Sequence, residues 1–126
     1  MKKIPISVSH RDDRGEITDL LEKEDINAIT LISFKKGAIR ANHYHKFTTQ
    51  WNYVISGKIK LVAQILPAGE VEEIILESGE LGVTSPHESH ALQAMEETQL
   101  LVFTKGPRGG KEYESDTFRL ENPLIS

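Results

Sequence analysis

The chain has 126 residues, 38% hydrophobic and 27% charged, with no cysteine. This suits one domain with its own core and leaves no compositional case for disorder, while the missing thiols exclude disulfides, zinc-thiolate centres and cysteine nucleophiles. A net charge of −4 at pH 7 argues against nucleic acid as a partner.

The N-terminal MKKIPISVSHRDD reaches charged residues before an apolar signal segment could form, and no apolar run approaches membrane-spanning length. A cytoplasmic protein with no membrane partner is expected. Residues 4–8 form a short β-rich run in which Pro5, lacking a backbone donor, suggests an edge or arm. Asp13-Arg14-Gly15 reads as a polar turn, and residues 16–20 then alternate as a strand. Ile17, Leu20 and Leu21 also have helical spacing; strand is the favoured assignment. Residues 28–34 are an apolar, β-branched strand closed by Lys35-Lys36-Gly37. The next β segment carries Arg40, His43 and His45, and residues 50–56 continue as a strand that Gly57-Lys58 turns into residues 59–66. Residues 67–70 read as a hairpin connection to a returning strand at 71–76. Further strands are expected at 81–84, 90–95 and 99–104. Turn signals thus recur about every 8–12 residues, the spacing of an all-β sandwich or barrel. After Thr104, KGPRGGKEYESDTFRL reads as a long loop or hairpin, and no stretch in the chain sustains a helical period. The expected organisation is a single domain over 1–126, with a core at about 28–104, an N-terminal arm at 1–15 and a C-terminal loop and tail at 105–126.

In an extended strand, residues i and i+2 share a face and lie roughly 6.5–7 Å apart, so the imidazoles of His43 and His45 can converge on one ion. A bend could bring the carbonyl of Gln50 to the same place, and His90 is the nearest later histidine on a strand. His87, in the SPHES turn, is expected to be exposed or at a cavity mouth. The plain alternative is that each histidine is a half-buried strand residue with a hydrogen-bond partner. Trp51, Tyr53 and Ile55 have the opposite parity to Gln50 and should pack between sheets or against a second subunit. Lys35, Lys36, Glu72 and Glu73 read as solvated turn and edge charges.

The wider pattern resembles the first motif of the cupin superfamily. Gly37, His43, His45, Gln50 and Gly57 keep its spacing, with glutamine in place of glutamate. In the second motif Gly79 and His90 keep theirs, while Ser85 stands at the proline position, His87 at the glycine position, and Pro86 is shifted by one. The resemblance covers residues 28–104 and implies a double-stranded β-helix (jelly-roll) barrel and a homodimer. It also implies His43, His45, Gln50 and His90 as ligands of a divalent ion: zinc, iron, manganese or nickel. A neutral amide offsets no metal charge, so affinity should be lower than with glutamate.

Asp13-Arg14-Gly15 and residues 40–46 (RANHYHK) resemble the D-x-R-G and R-G-x-H-x-H-K elements of deoxysugar-nucleotide 3,5-epimerases and 3,4-ketoisomerases, with Ala41 replacing a glycine. That resemblance implies Arg40 as a phosphate contact, His43 as a general base and Tyr53 or Tyr113 as the acid. A base needs an imidazole free of metal, so ligand and base are alternatives for His43. The expected function is that of a metal-binding cupin acting on a carbohydrate-like molecule, sugar or sugar nucleotide, by proton transfer next to a carbonyl. An iron- or manganese-dependent dioxygenase and a non-catalytic sugar-binding or sensing module are the alternatives.

Overall fold

Alternating inward and outward side chains build two facing antiparallel sheets in the computed structural model, which describes residues 1–126, with Gly110 described only as part of its helix. In chain order the elements are β1 (Lys2–Ile4), β2 (His10–Asp12), β3 (Gly15–Ile17), β4 (Ala28–Phe34), β5 (Ile39–Tyr44) and β6 (Thr49–Ser56). They continue with β7 (Lys58–Ile65), β8 (Val71–Glu77), β9 (Leu81–Thr84), β10 (Glu88–Ala94), β11 (Thr98–Lys105), α1 (Gly110–Ser115) and β12 (Phe118–Arg119). One sheet has the order β1-β9-β6-β11-β4, the other β12-β5-β10-β7-β8, and β2 with β3 forms a separate hairpin. This is the all-β jelly-roll barrel that the motif resemblance implied.

The barrel interior divides into two zones along the same strands. Phe34, Val54, Leu100 and Val102 of one sheet pack against Ile59, Leu61, Leu76, Leu92 and Ala94 of the other. Burying each of the larger side chains is worth about 1.5–3 kcal/mol. Stepping by two residues from Val54 gives Asn52 and Gln50, and from Leu92 gives His90, all buried. The apolar inward positions fill one end of the barrel, and the polar ones leave a lined cavity at the other.

Local readings and structure differ at four places. The N-terminal strand is Lys2–Ile4, ending before Pro5, whose missing N–H cannot continue the ladder to Leu81–Val83. The strand expected over 16–20 stops at Ile17. Gly57 joins strands of opposite sheets and is therefore a corner, not a hairpin turn. Its φ is 99°, and a Cβ there would run into the Glu97 carbonyl and Thr98, so only glycine fits. The segment expected as a loop or hairpin contains α1 and β12; a six-residue helix is too short to display a period. The 67–70 connection is a hairpin as expected, with β7 and β8 paired from Lys58↔Glu77 to Gln64↔Val71. Among the described residues no helix is long and apolar enough to cross a membrane.

Candidate active site

Strand pairing assembles the site. His43 on β5 lies directly opposite His90 on β10, and Arg119 on β12 lies opposite His43. The row Arg119, His43, His90 therefore crosses three neighbouring strands. Just before His43 the backbone is left-handed at two successive residues, Ala41 (φ 73°) and Asn42 (φ 55°). The register against β10 shifts there, marking a bulge that re-aims the following side chains. Asn42 uses the bend to hold the C-terminal tail. Its Oδ1 accepts the Leu124 N–H at 2.9 Å, and its Nδ2 donates to the Ile125 carbonyl at 2.9 Å.

The rings of His43 and His45 lie 4.7 Å apart, those of His43 and His90 4.8 Å, and those of His45 and His90 5.4 Å. One ring nitrogen from each falls within 4.8 Å of the others. His45 Nδ1 is 2.8 Å from the Asp116 carbonyl and His90 Nδ1 is 3.1 Å from the Glu88 carbonyl. A carbonyl can only accept, so both Nδ1 atoms donate and both Nε2 atoms carry the lone pair. Among the described residues, His43 Nδ1 and His45 Nε2 are buried with no hydrogen-bond partner. Burial, reinforced by the neighbouring His90, His45 and Arg119, lowers the pKa of His43 to about 3. Burial, followed by His45 and the N-terminal amine, lowers His90 to about 3. Three imidazoles at close quarters, two of them oriented by backbone carbonyls and two with a buried unpartnered nitrogen, fit the requirements of a divalent cation.

His43 and His90 border a cavity of about 250 Å³. Gln50, Arg40 and Tyr113 line it with them. His45 sits behind His43, with its ring 5.4 Å from that of Tyr113. The Gln50 amide donates to Thr104 Oγ1 at 3.3 Å, which leaves its carbonyl oxygen available as an acceptor. Tyr53 is not among the lining residues. It has the outward parity of β6 and lies across from Leu101 and Leu81, so it is not placed to serve as the acid. The Asp13-Arg14-Gly15 turn is also elsewhere: Arg14 is exposed and pairs with Asp12 at 2.7 Å. His87 is exposed, and its N–H donates to the His45 carbonyl at 2.7 Å.

Three features of the site had no signal in the sequence reading. Arg108 and Arg119 join Arg40 in the cavity wall, and no carboxylate lines it among the described residues. Arg108 stacks 4.2 Å from the centre of the Tyr113 ring, while Arg40 lies 5.2 Å from that of Phe34. The third feature is Asp116, whose carboxylate accepts from the Lys46 N–H at 2.9 Å, the Phe47 N–H at 3.1 Å and the Thr48 hydroxyl at 2.6 Å. Burial alone would raise the pKa of Asp116, but these hydrogen bonds outweigh it and hold the carboxyl below its usual value. Arg108, Arg119 and Asp116 lie in the charged segment after Thr104, and the docking of that segment onto the barrel brings them to the site.

Residues 10–118 match the family model described as polysaccharide biosynthesis C-terminal domain. No curated protein sequence matches the chain. Among solved structures, the capsular polysaccharide assembling protein CapF from Staphylococcus aureus superposes with a TM-score of 0.68 at 20% identity, over 94% of this chain and 35% of that one. The chain therefore spans about a third of the length of CapF. The Mycobacterium tuberculosis rmlC epimerase superposes with a TM-score of 0.77 at 13% identity, over 94% and 67% of the two chains. The sugar 3,4-ketoisomerase QdtA from Thermoanaerobacterium thermosaccharolyticum, in complex with TDP, superposes with a TM-score of 0.70 at 22% identity, over 95% and 84%. At these identities the likeness is one of fold. The family model spans most of the chain, including every residue of the histidine cluster, and the chain belongs to the polysaccharide biosynthesis C-terminal domain family.

Proposed function

We propose that the chain is a sugar-nucleotide isomerase or epimerase that moves a proton at the carbon next to a ketone, with a divalent cation held by His43, His45 and His90. The observation that carries this reading is one cavity bordered by buried His43 and His90 and by Arg40, Arg108 and Arg119, with no carboxylate among the described residues that line it. Guanidinium groups suit a diphosphate, because their planar donors meet its oxygens in pairs. The shared fold of the rmlC epimerase and of QdtA with its TDP supports the same ligand class.

A divalent cation at the histidines would polarise a carbonyl oxygen and so acidify the adjacent C–H. His43, with a pKa near 3, is read as a ligand and not as the base, since a general base works best with a pKa near the operating pH. Tyr113, with the Arg108 guanidinium stacked over its ring, is the group of the cavity wall assigned to carry the proton at its phenolic oxygen. Leu92, Leu100 and Val102 close the cavity with apolar surface that excludes water.

The test combines metal analysis with solvent exchange. Purified protein should hold about one equivalent of divalent metal, and His45→Ala and His90→Ala should each lose it. Incubated in D₂O with a TDP-4-keto-6-deoxysugar, the wild type should place deuterium next to the ketone. Unchanged metal in both variants would sink the ligand set. Failure of deuterium to enter any nucleotide-sugar ketone would leave a binding module, and oxygen uptake in its place would favour a dioxygenase.

A further inference from the structure

We infer that Asp116 is a positioning residue that acts through His45, selecting its tautomer and aiming Nε2 at His43 and His90. The inference rests on the proposed site only in counting His45 as part of it. Asp116 caps the C-terminal end of α1 and is 3% exposed. Both of its ends grip one loop. The carboxylate binds the backbone N–H groups of Lys46 and Phe47 and the Thr48 hydroxyl, the three residues that follow His45. The carbonyl accepts from the ring of His45 itself, 2.8 Å from Nδ1.

An imidazole released from such contacts samples both neutral tautomers. A carbonyl has no proton to give, so the Asp116 contact is compatible only with Nδ1–H, and the lone pair is confined to Nε2. That nitrogen is the buried one without a hydrogen-bond partner. The same residue spaces Tyr113, because the Asp116 N–H donates to the Tyr113 carbonyl at 3.1 Å and the Tyr113 ring lies 5.4 Å from that of His45. Asp116 does not line the cavity, so its influence on a bound molecule passes through these two side chains. A residue that only fastened the helix end would alter stability and leave the imidazole unchanged.

The experiment reads the ring directly. The full chain, free of metal and labelled with ¹⁵N, is compared with Asp116→Ala and Thr48→Val by long-range ¹⁵N–¹H correlation of the histidine rings at neutral to mildly alkaline pH. No substitution removes a backbone carbonyl, but losing the carboxylate frees the segment that places it. In the wild type His45 should carry its proton on Nδ1 in nearly all molecules. In folded Asp116→Ala the single tautomer should give way to a mixture, and Thr48→Val should move the same way by a smaller amount. If Asp116→Ala does not fold, Thr48→Val decides. A wild-type proton on Nε2 would overturn the inference, as would folded variants that keep the single Nδ1–H form. No sugar nucleotide enters this measurement. A wild type with the Nδ1–H tautomer that exchanges no deuterium into a nucleotide-sugar ketone would fail as an isomerase while leaving the role of Asp116 intact.

Discussion

Ala41 and His87 hold left-handed backbone conformations, with φ of 73° and 62°, and both occupy positions where the related motifs carry glycine. A side chain in that region costs about 1–2 kcal/mol, of which glycine returns part through the greater freedom of the unfolded chain. Ala41→Gly and His87→Gly should each raise the free energy of urea unfolding by about 0.5–1 kcal/mol. A lowered midpoint would show that the side chain contributes more than its strain costs. Gln50 is the other departure from the motif, and Gln50→Glu places a carboxylate beside neutral imidazoles. Calorimetry should then show divalent-ion binding tighter by about tenfold or more; weaker binding would mean that the Gln50 carbonyl faces away from the ion. Strand alternation pointed to His43 and His45, a local rule, whereas Gln50 and His90 were singled out by the spacing of the motifs that the sequence resembles; β5 itself ends at Tyr44, one residue short of His45.

The element that brings unforeseen chemistry is the stretch from Arg108 to Arg119, with α1 at its centre. It carries Arg108, Tyr113, Thr117 and Arg119 into the cavity wall, and Asp116 fastens it to the loop after His45. Replacing Asp116 by alanine leaves the buried Thr48 hydroxyl and the part-buried Lys46 and Phe47 N–H groups without this acceptor and should cost about 2–3 kcal/mol. Its folded-state pKa is depressed, so the stabilisation is fully present above the ordinary carboxylate pKa and is lost as pH falls through the folded value. The stability gap between wild type and Asp116→Ala should accordingly stay constant near neutrality and close in acid. Paired denaturant titrations across the acid range measure it, and a gap that widens on acidification would contradict the assignment. Short charged elements of this kind have no hydrophobic period of their own, so their conformation follows from the surface onto which they dock.

On the scale of the whole molecule, the outer face of one sheet is left apolar at its edge. Ile29 and Leu31 on edge strand β4 are each 63% exposed, beside half-buried Phe103 and Leu101 on β11. A second copy of the chain is the occupant expected there, since a long apolar edge strand without protecting charge tends to pair. Sedimentation should report a dimer that Leu31→Lys converts to a folded monomer; a monomeric wild type would remove this expectation. Most of the barrel strands and the all-β class were legible in the amino-acid sequence, because alternation, β-branched runs and turn residues act within a few positions; the jelly-roll class followed from the motif resemblance. That Arg119, His43 and His90 stand in one row, that Gly57 is a corner between sheets, and that Asp116 meets the ring of His45 came only with the folded chain. Those relations depend on register and docking between segments far apart in the chain, where no local periodicity reaches.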